Sequence, residues 1–182
     1  RHQNVATASI TLGDTPYRDA DGNRLYNGTI NAQIVAQNTF AGLRNVIYTR
    51  NDGTNGTQQQ RTFTADIEQG GGILNGLQVQ AEENNIVTRA GATDAIGYGA
   101  DAEVSNITVG MSMTCNAAHT DTVAQQTVSY DTWAPRLEIT WDNNDVRNGK
   151  YYNSNRTATI VVTERNFDES ACEFITTGPP PS

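Results

Sequence analysis

The sequence predicts an all-β chain folded as a two-layer antiparallel sandwich. Three observations carry that expectation. Apolar residues recur at every second position in several short runs, clusters of turn-forming residues separate the runs, and no stretch has the spacing of an amphipathic helix. A strand with one face in water and one in a core places its apolar residues at period two, which is the pattern seen.

Taken in order along the chain, residues 19–23 (DADGN) form the first turn signal. Ile30, Ala32, Ile34 and Ala36 mark a strand. Residues 51–57 (NDGTNGT) supply Gly and Asn where a turn needs positive φ. Phe63, Ala65 and Ile67 alternate again, and QGGG at 69–72 closes that run. Leu77, Val79 and Ala81 mark the next strand, with a short helical turn expected within 81–90. Residues 89–101 (RAGATDAIGYGAD) carry three glycines and read as a long loop. Ile107, Val109, Met111, Met113 and Cys115 give the longest alternation, and Val128 and Tyr130 mark a final run. Short strands with regular turns indicate a sandwich.

An internal echo sets the domain boundary. Residues 9–40 read SITL, a polar turn, LYNGT, INAQIVAQ and NTF, while residues 137–167 read LEIT, a polar turn, KYYNSNRT, ATIVVTER and NF. The period of roughly 127–128 residues lies within ordinary domain size. Pro135 stiffens the segment between the copies, which places the boundary near residue 132. Residues 1–132 are therefore expected to form one sandwich and residues 133–182 the first part of a second. In that second part Ile139, Trp141, Ile160, Val162 and Phe167 would line a core whose other half is absent. An open apolar face favours pairing with another chain.

The junction carries a family resemblance. DTWAP at 131–135 resembles the DTTAP linker of tandem bacterial immunoglobulin-like (Ig-like) domains. TCNAAHT at 114–120 is similar to the family's D-x-AGN-T turn, with Cys115 in place of an acidic residue and His119 in place of Asn. Residues 141–167 resemble the opening strands of Ig-like repeats from large surface and extracellular proteins. The resemblance implies Ig-like sandwiches in an extracellular, cell-surface stalk that supports adhesion or assembly, with neighbouring Ig-like domains as partners. It also implies that calcium at such linkers can stiffen the array. Asp131 with Asp142 or Asp145 is the candidate calcium set, and simple turn formation is the alternative.

Composition narrows the other classes. Twelve basic against twenty acidic residues give a net charge of −8, which disfavours nucleic acid and anionic membrane surfaces. No apolar run reaches membrane-spanning length. The single lysine is Lys150, so neither a lysine–asparagine isopeptide bond nor a Schiff-base lysine is possible in residues 1–132. Cys115 and Cys172 are both expected as buried thiols, with a bridge between them as the lesser alternative.

Little in the sequence points to catalysis. The DADGN turn spaces carboxylates as a calcium loop does but lacks the closing Glu, so a polar hairpin turn is the better reading. Cys115 and His119 are too few for zinc, and a thiol on a strand leading into a hairpin points inward, away from a solvent-facing His119. Glu82 and Glu83 are adjacent and would face opposite ways on a strand. No phosphate-binding, dinucleotide or nucleophile-elbow motif appears. Trp133, with Tyr151 and Tyr152, could present an aromatic platform to a sugar, against interdomain packing. The expectation is a non-catalytic spacer that requires no cofactor. Its alternatives are a module binding a glycan or host surface protein, or an accessory domain of a larger extracellular enzyme or virion protein.

Overall fold

Alternation becomes packing in two sheets that share one core. The computed structural model describes residues 6–53, 58–64, 68–69, 72–146, 149, 152 and 154–175. The chain divides into two compact units, Arg1–Thr132 and Trp133–Ser182.

Among the described residues the first unit holds ten strands: β1 (Ala6–Thr11), β2 (Arg24–Tyr26), β3 (Ile30–Asn38), β4 (Leu43–Asp52), β5 (Gln58–Thr64), β6 (Glu68–Gln69), β7 (Asn75–Ala81), β8 (Val87–Ile96), β9 (Glu103–Cys115) and β10 (Thr120–Asp131). They form a four-stranded sheet ordered β1-β3-β8-β7 and a six-stranded sheet ordered β2-β10-β9-β4-β5-β6. Ile30, Ala32, Ile34 and Ala36 on β3 meet Val46 and Tyr48 on β4 and Ile107, Val109, Met111 and Met113 on β9 in one core. Each of these is at most 3% exposed, so both inner faces are dry. At roughly 25 cal/mol per Å² of apolar surface, such burial is the main stabilising term.

Among the described residues every strand pairing in this unit is antiparallel except one. β2 runs parallel to β10, with Val128 opposite Arg24 and Tyr130 opposite Tyr26, so the larger sheet is mixed rather than purely antiparallel as expected. β1 also runs in the sense of β10. The Gln126 amide donates to the Ile10 carbonyl, and three residues on, Tyr26, level with Tyr130, donates its hydroxyl to the Gly13 carbonyl at 2.8 Å. The chain therefore enters this unit at one end of the sandwich and leaves it at the other.

The turns have visible causes. In DADGN, Gly22 adopts φ +83° and donates to the Asp19 carbonyl at 3.0 Å. Gly53 adopts φ +63° in the turn after β4, where a Cβ would run into the backbone carbonyl of Ser105. Cys115 and His119 close the β9–β10 hairpin through a 3.0 Å backbone bond.

Several expectations are corrected. Residues 89–101 are not a long loop: β8 runs from Val87 to Ile96, with Ala90, Ala92, Asp94 and Ile96 facing inward. The short helical turn expected within 81–90 is present, as one 3₁₀ turn over Glu83–Asn85. Glu82 and Glu83 follow β7 in that connection rather than standing on opposite faces of a strand. Cys115 is buried, but Cys172 is exposed, and both are free thiols. Ala65 and Ile67 lie outside the described residues.

The second unit contains a two-stranded ribbon, β11 (Arg136–Trp141) with β12 (Ala158–Thr163), paired antiparallel with Leu137 opposite Val162 and Ile139 opposite Ile160. A 3₁₀ turn over Glu169–Ala171 follows, capped by Asp168, which accepts from the Ser170 N–H at 3.0 Å. Leu137, Ile139, Trp141, Ile160 and Val162 share one face of the ribbon and are 37–60% exposed.

Candidate functional site

The residues singled out from the sequence fall at distinct places. Asp131 closes β10 of the first unit opposite Glu103. Asp142 and Asp145 lie together in the connection after β11. Asp142 accepts from the Thr157 N–H at 2.8 Å, while the Asp145 N–H donates to the Asn143 side chain at 2.8 Å. These are turn-building bonds. Trp133 opens the second unit and is 53% exposed. Tyr151 lies outside the described residues. Tyr152 lies with its ring face 3.8 Å from the Arg156 guanidinium, whose centre is also 4.2 Å from the Trp141 ring centre. That guanidinium is anchored as well by its Nε bond to the Asn143 carbonyl at 2.7 Å. The arrangement binds the connection to the ribbon rather than presenting a bare aromatic platform.

Asp19 holds its turn together. One carboxylate oxygen accepts from the Asp21 and Asn23 N–H groups at 3.0 and 2.8 Å, and the other accepts from the Ser129 hydroxyl at 2.6 Å. Burial pushes the carboxyl upward, but the Ser129 and backbone bonds outweigh it and leave Asp19 below the usual carboxylate range. This carboxylate fastens the DADGN turn to β10. At the β9–β10 hairpin Cys115 points inward and His119 is exposed, so they do not form a thiol–base pair.

Among the described residues, a group of ion-paired charges in the first unit was not visible in the sequence. Tyr48, Arg50 and Asp52 occupy alternate positions on β4, and Asp94 faces them from β8 in the other sheet. Tyr48 is fully buried and donates to Asp94 Oδ2 at 2.8 Å. Arg50 Nη1 reaches both Asp94 oxygens at 3.1 Å. Arg50 Nε lies 2.9 Å from Asp52 Oδ1, but its N–H is not aimed at that oxygen, so the contact is ionic without a hydrogen bond. Tyr98, just past β8, donates its hydroxyl to Asp52. Burial is the main force raising the Asp94 carboxyl, with Tyr48 and Arg50 opposing it. Two carboxylates thus share one guanidinium between the sheets.

This cluster continues to the end of the unit. The Tyr98 ring meets Tyr130 edge-on, with centroids 5.2 Å apart. Tyr130 and Thr132 both donate hydroxyls to the Gly99 carbonyl, at 2.9 and 2.7 Å. Thr132 and Ala102 exchange two more bonds, at 2.8 and 3.1 Å. The last residue of the unit is therefore tied into the sandwich through the connection that the charged cluster holds. Chemically the arrangement is a staple: Tyr48, Arg50 Nη1 and Tyr98 direct their donors at the two carboxylates inside the protein.

No protein-family model matches the chain, and no curated protein does. Among solved structures, the chain is similar to a DUF4466 family protein from Parabacteroides merdae at 7% identity and a TM-score of 0.33. The likeness covers 81% of this chain and 53% of that one, so the chain spans about half the length of that neighbour.

Proposed function

We propose that the chain is a non-catalytic Ig-like spacer from a bacterial surface or secreted protein, working outside the cell. The observation that carries this reading is the path of the first unit, with β1 entering at one end and β10 leaving at the other. A module wired this way adds length when placed in series. The bonds that fix Thr132 support it further, because a spacer passes load through the residue where the chain departs.

The strand order favours the Ig-like part of the reading. Sheets ordered β1-β3-β8-β7 and β2-β10-β9-β4-β5-β6 fit the A-B-E-D and G-F-C-C′-C″ arrangement of a variable-type Ig domain, with β2 as an added edge strand beside G. Tyr48 then stands on strand C, where antibody domains carry a core Trp, and no inter-sheet disulfide accompanies it. The hairpin turn agrees: Ala118 adopts φ +59° where the family's motif has glycine.

The apolar face of the β11–β12 ribbon belongs to the same proposal. Its cover would be strands of a neighbouring Ig-like domain or of another chain. Calcium enters through Asp131, Asp142 and Asp145: a melting temperature that rises with calcium and falls with chelator supports it, and an unchanged one removes it.

Small-angle scattering of the full chain tests the spacer. A compact particle of this length has a radius of gyration of about 16 Å; a clearly larger value in a monomer is expected, and a value at that limit overturns the reading. Exposed Trp133 favours a second reading as a glycan- or protein-binding module. Saturable binding on a glycan array that is lost in Trp133→Ala would favour that function instead.

A further inference from the structure

The outward face of the four-stranded sheet has an unusual charge distribution. The chain has twenty acidic residues, yet every second position across Thr7 to Thr11, Asn31 to Gln37 and Arg89 to Ala95 holds no carboxylate and a single cation, Arg89. Glu82 and Glu83 lie in the connection between β7 and β8.

A groove of about 250 Å³ opens there between β3, β7 and β8. Its floor is Gly91, in the interior of β8. Neither backbone conformation nor close packing demands glycine at that position: its φ is not in the left-handed region, and a Cβ would make only ordinary contacts of 3.6 Å to the Ile34 carbonyl and 3.8 Å to Arg89 Nη1. What glycine leaves there is open space, with the Arg89 guanidinium alongside it. Among the described residues Arg89 makes no hydrogen bond or ion pair. One wall is a bulge in β7, where Gly76 and Leu77 fit between the Asn75–Thr93 and Gln78–Gly91 pairs. Bulges interrupt a ladder and recur beside binding sites. Gln33 and Gln78 bring amides to the groove, Val35 an apolar surface and Thr93 a hydroxyl already donating to the Asn75 carbonyl at 3.2 Å.

We propose that this groove binds a carboxylate-bearing sugar ring, a uronate unit of an acidic glycan. The guanidinium matches the carboxylate as a two-pronged donor. The amides, which both donate and accept, match vicinal hydroxyls. Val35 and the bare Gly91 floor accept the C–H face of a ring. The volume falls just under the roughly 300 Å³ at which pockets for drug-sized ligands begin, which suits a single ring. The site lies within the first unit and does not depend on the spacer reading.

Calorimetric titration of the full chain with tetragalacturonate tests it, with galactotetraose, acetate and tetraglutamate as comparison probes. Tetragalacturonate is expected to bind saturably and more weakly as salt rises, while galactotetraose does not bind. Arg89→Gln should weaken binding by ~10-fold or more. Gly91→Val should abolish it by filling the floor, with the melting temperature maintained because a β-branched residue suits the strand. The proposal is overturned if tetragalacturonate shows no saturable binding or binds Arg89→Gln unchanged. It is equally overturned if acetate or tetraglutamate binds as well, since the groove would then read a bare carboxylate or an acidic peptide.

Discussion

Strand β3 of the first unit and strand β12 of the second are counterparts in the internal echo, and their alternation is nearly the same. Ala32 and Ile34 on β3 are 0% and 2% exposed, whereas Ile160 and Val162, at the matching places on β12, are 37% and 39% exposed. The difference lies in what stands opposite. β3 faces β4 and β9 across a dry interior, while among the described residues β12 has only β11 beside it in its sheet. Period-two patterning tells a segment to be a strand and says which face is apolar; burying that face takes a second layer. An isolated two-stranded ribbon is marginal in water for that reason.

The largest expected effect tests the closed region where it is most polar. Arg50→Ala leaves Asp94 and Asp52 buried between the sheets without their cation. Removing one partner of a buried ion pair costs about 3–5 kcal/mol, so chemical denaturation of the first unit should show a loss of that order. A loss below ~1 kcal/mol would mean that the cluster is wet. Paired truncations then measure the contrast directly. Ile107→Ala, at a position 0% exposed, should cost roughly 2–5 kcal/mol. Ile139→Ala, at a position 50% exposed, should stay within about 0.5 kcal/mol. Equal costs would show that the ribbon face is covered in solution. Both tryptophans, Trp133 and Trp141, lie in the second unit, so tryptophan emission follows that unit while far-ultraviolet circular dichroism is dominated by the first.

Alkali sharpens the comparison by another route. Burial pushes the Tyr48 hydroxyl well above its ordinary value, and the Asp94 charge and hydrogen bond add to it. Burial and the bond to Asp52 do the same for Tyr98. In the unfolded chain both ionise near pH 10, while the folded chain keeps their protons. Their contribution is therefore complete below pH ~10 and is lost as pH climbs, by up to about 1.4 kcal/mol per pH unit for each tyrosine. The first unit should lose stability with this slope and Tyr48→Phe should flatten it. An unchanged slope in Tyr48→Phe would contradict the burial.

Two smaller effects complete the series. Ala118→Gly relieves a left-handed backbone at the β9–β10 hairpin and should stabilise the first unit by about 1 kcal/mol in the same denaturation experiment. Arg156→Ala removes the cation from between Trp141 and Tyr152. Stacks at exposed sites are worth about 0.5–1 kcal/mol, so the change should appear in Trp141 emission while the first unit's transition stays in place.

The strands that alternate apolar and polar residues could be read without any coordinates. So could the Gly- and Asn-bearing turns between them, because these depend on backbone sterics and on which side chains avoid water. β8 escaped that reading since its inward residues are Ala90, Ala92 and the charged Asp94, and Gly91 and Gly97 resemble loop punctuation. It is a strand because β3 and β7 satisfy its backbone on either side. Cys172 was expected inside because thiols usually are, but the ribbon offers no interior to receive it. The staple of Tyr48, Arg50, Asp52 and Asp94 was equally hidden, as charges at inward positions look like breaks in an apolar pattern. Their partners lie 44 residues apart in the chain and meet only when two sheets stack. Local periodicity thus determined the elements and the apolar side of each. The pairing order, the buried charges and the groove at Gly91 were decided by tertiary structure, because each depends on surfaces contributed by segments far apart in sequence.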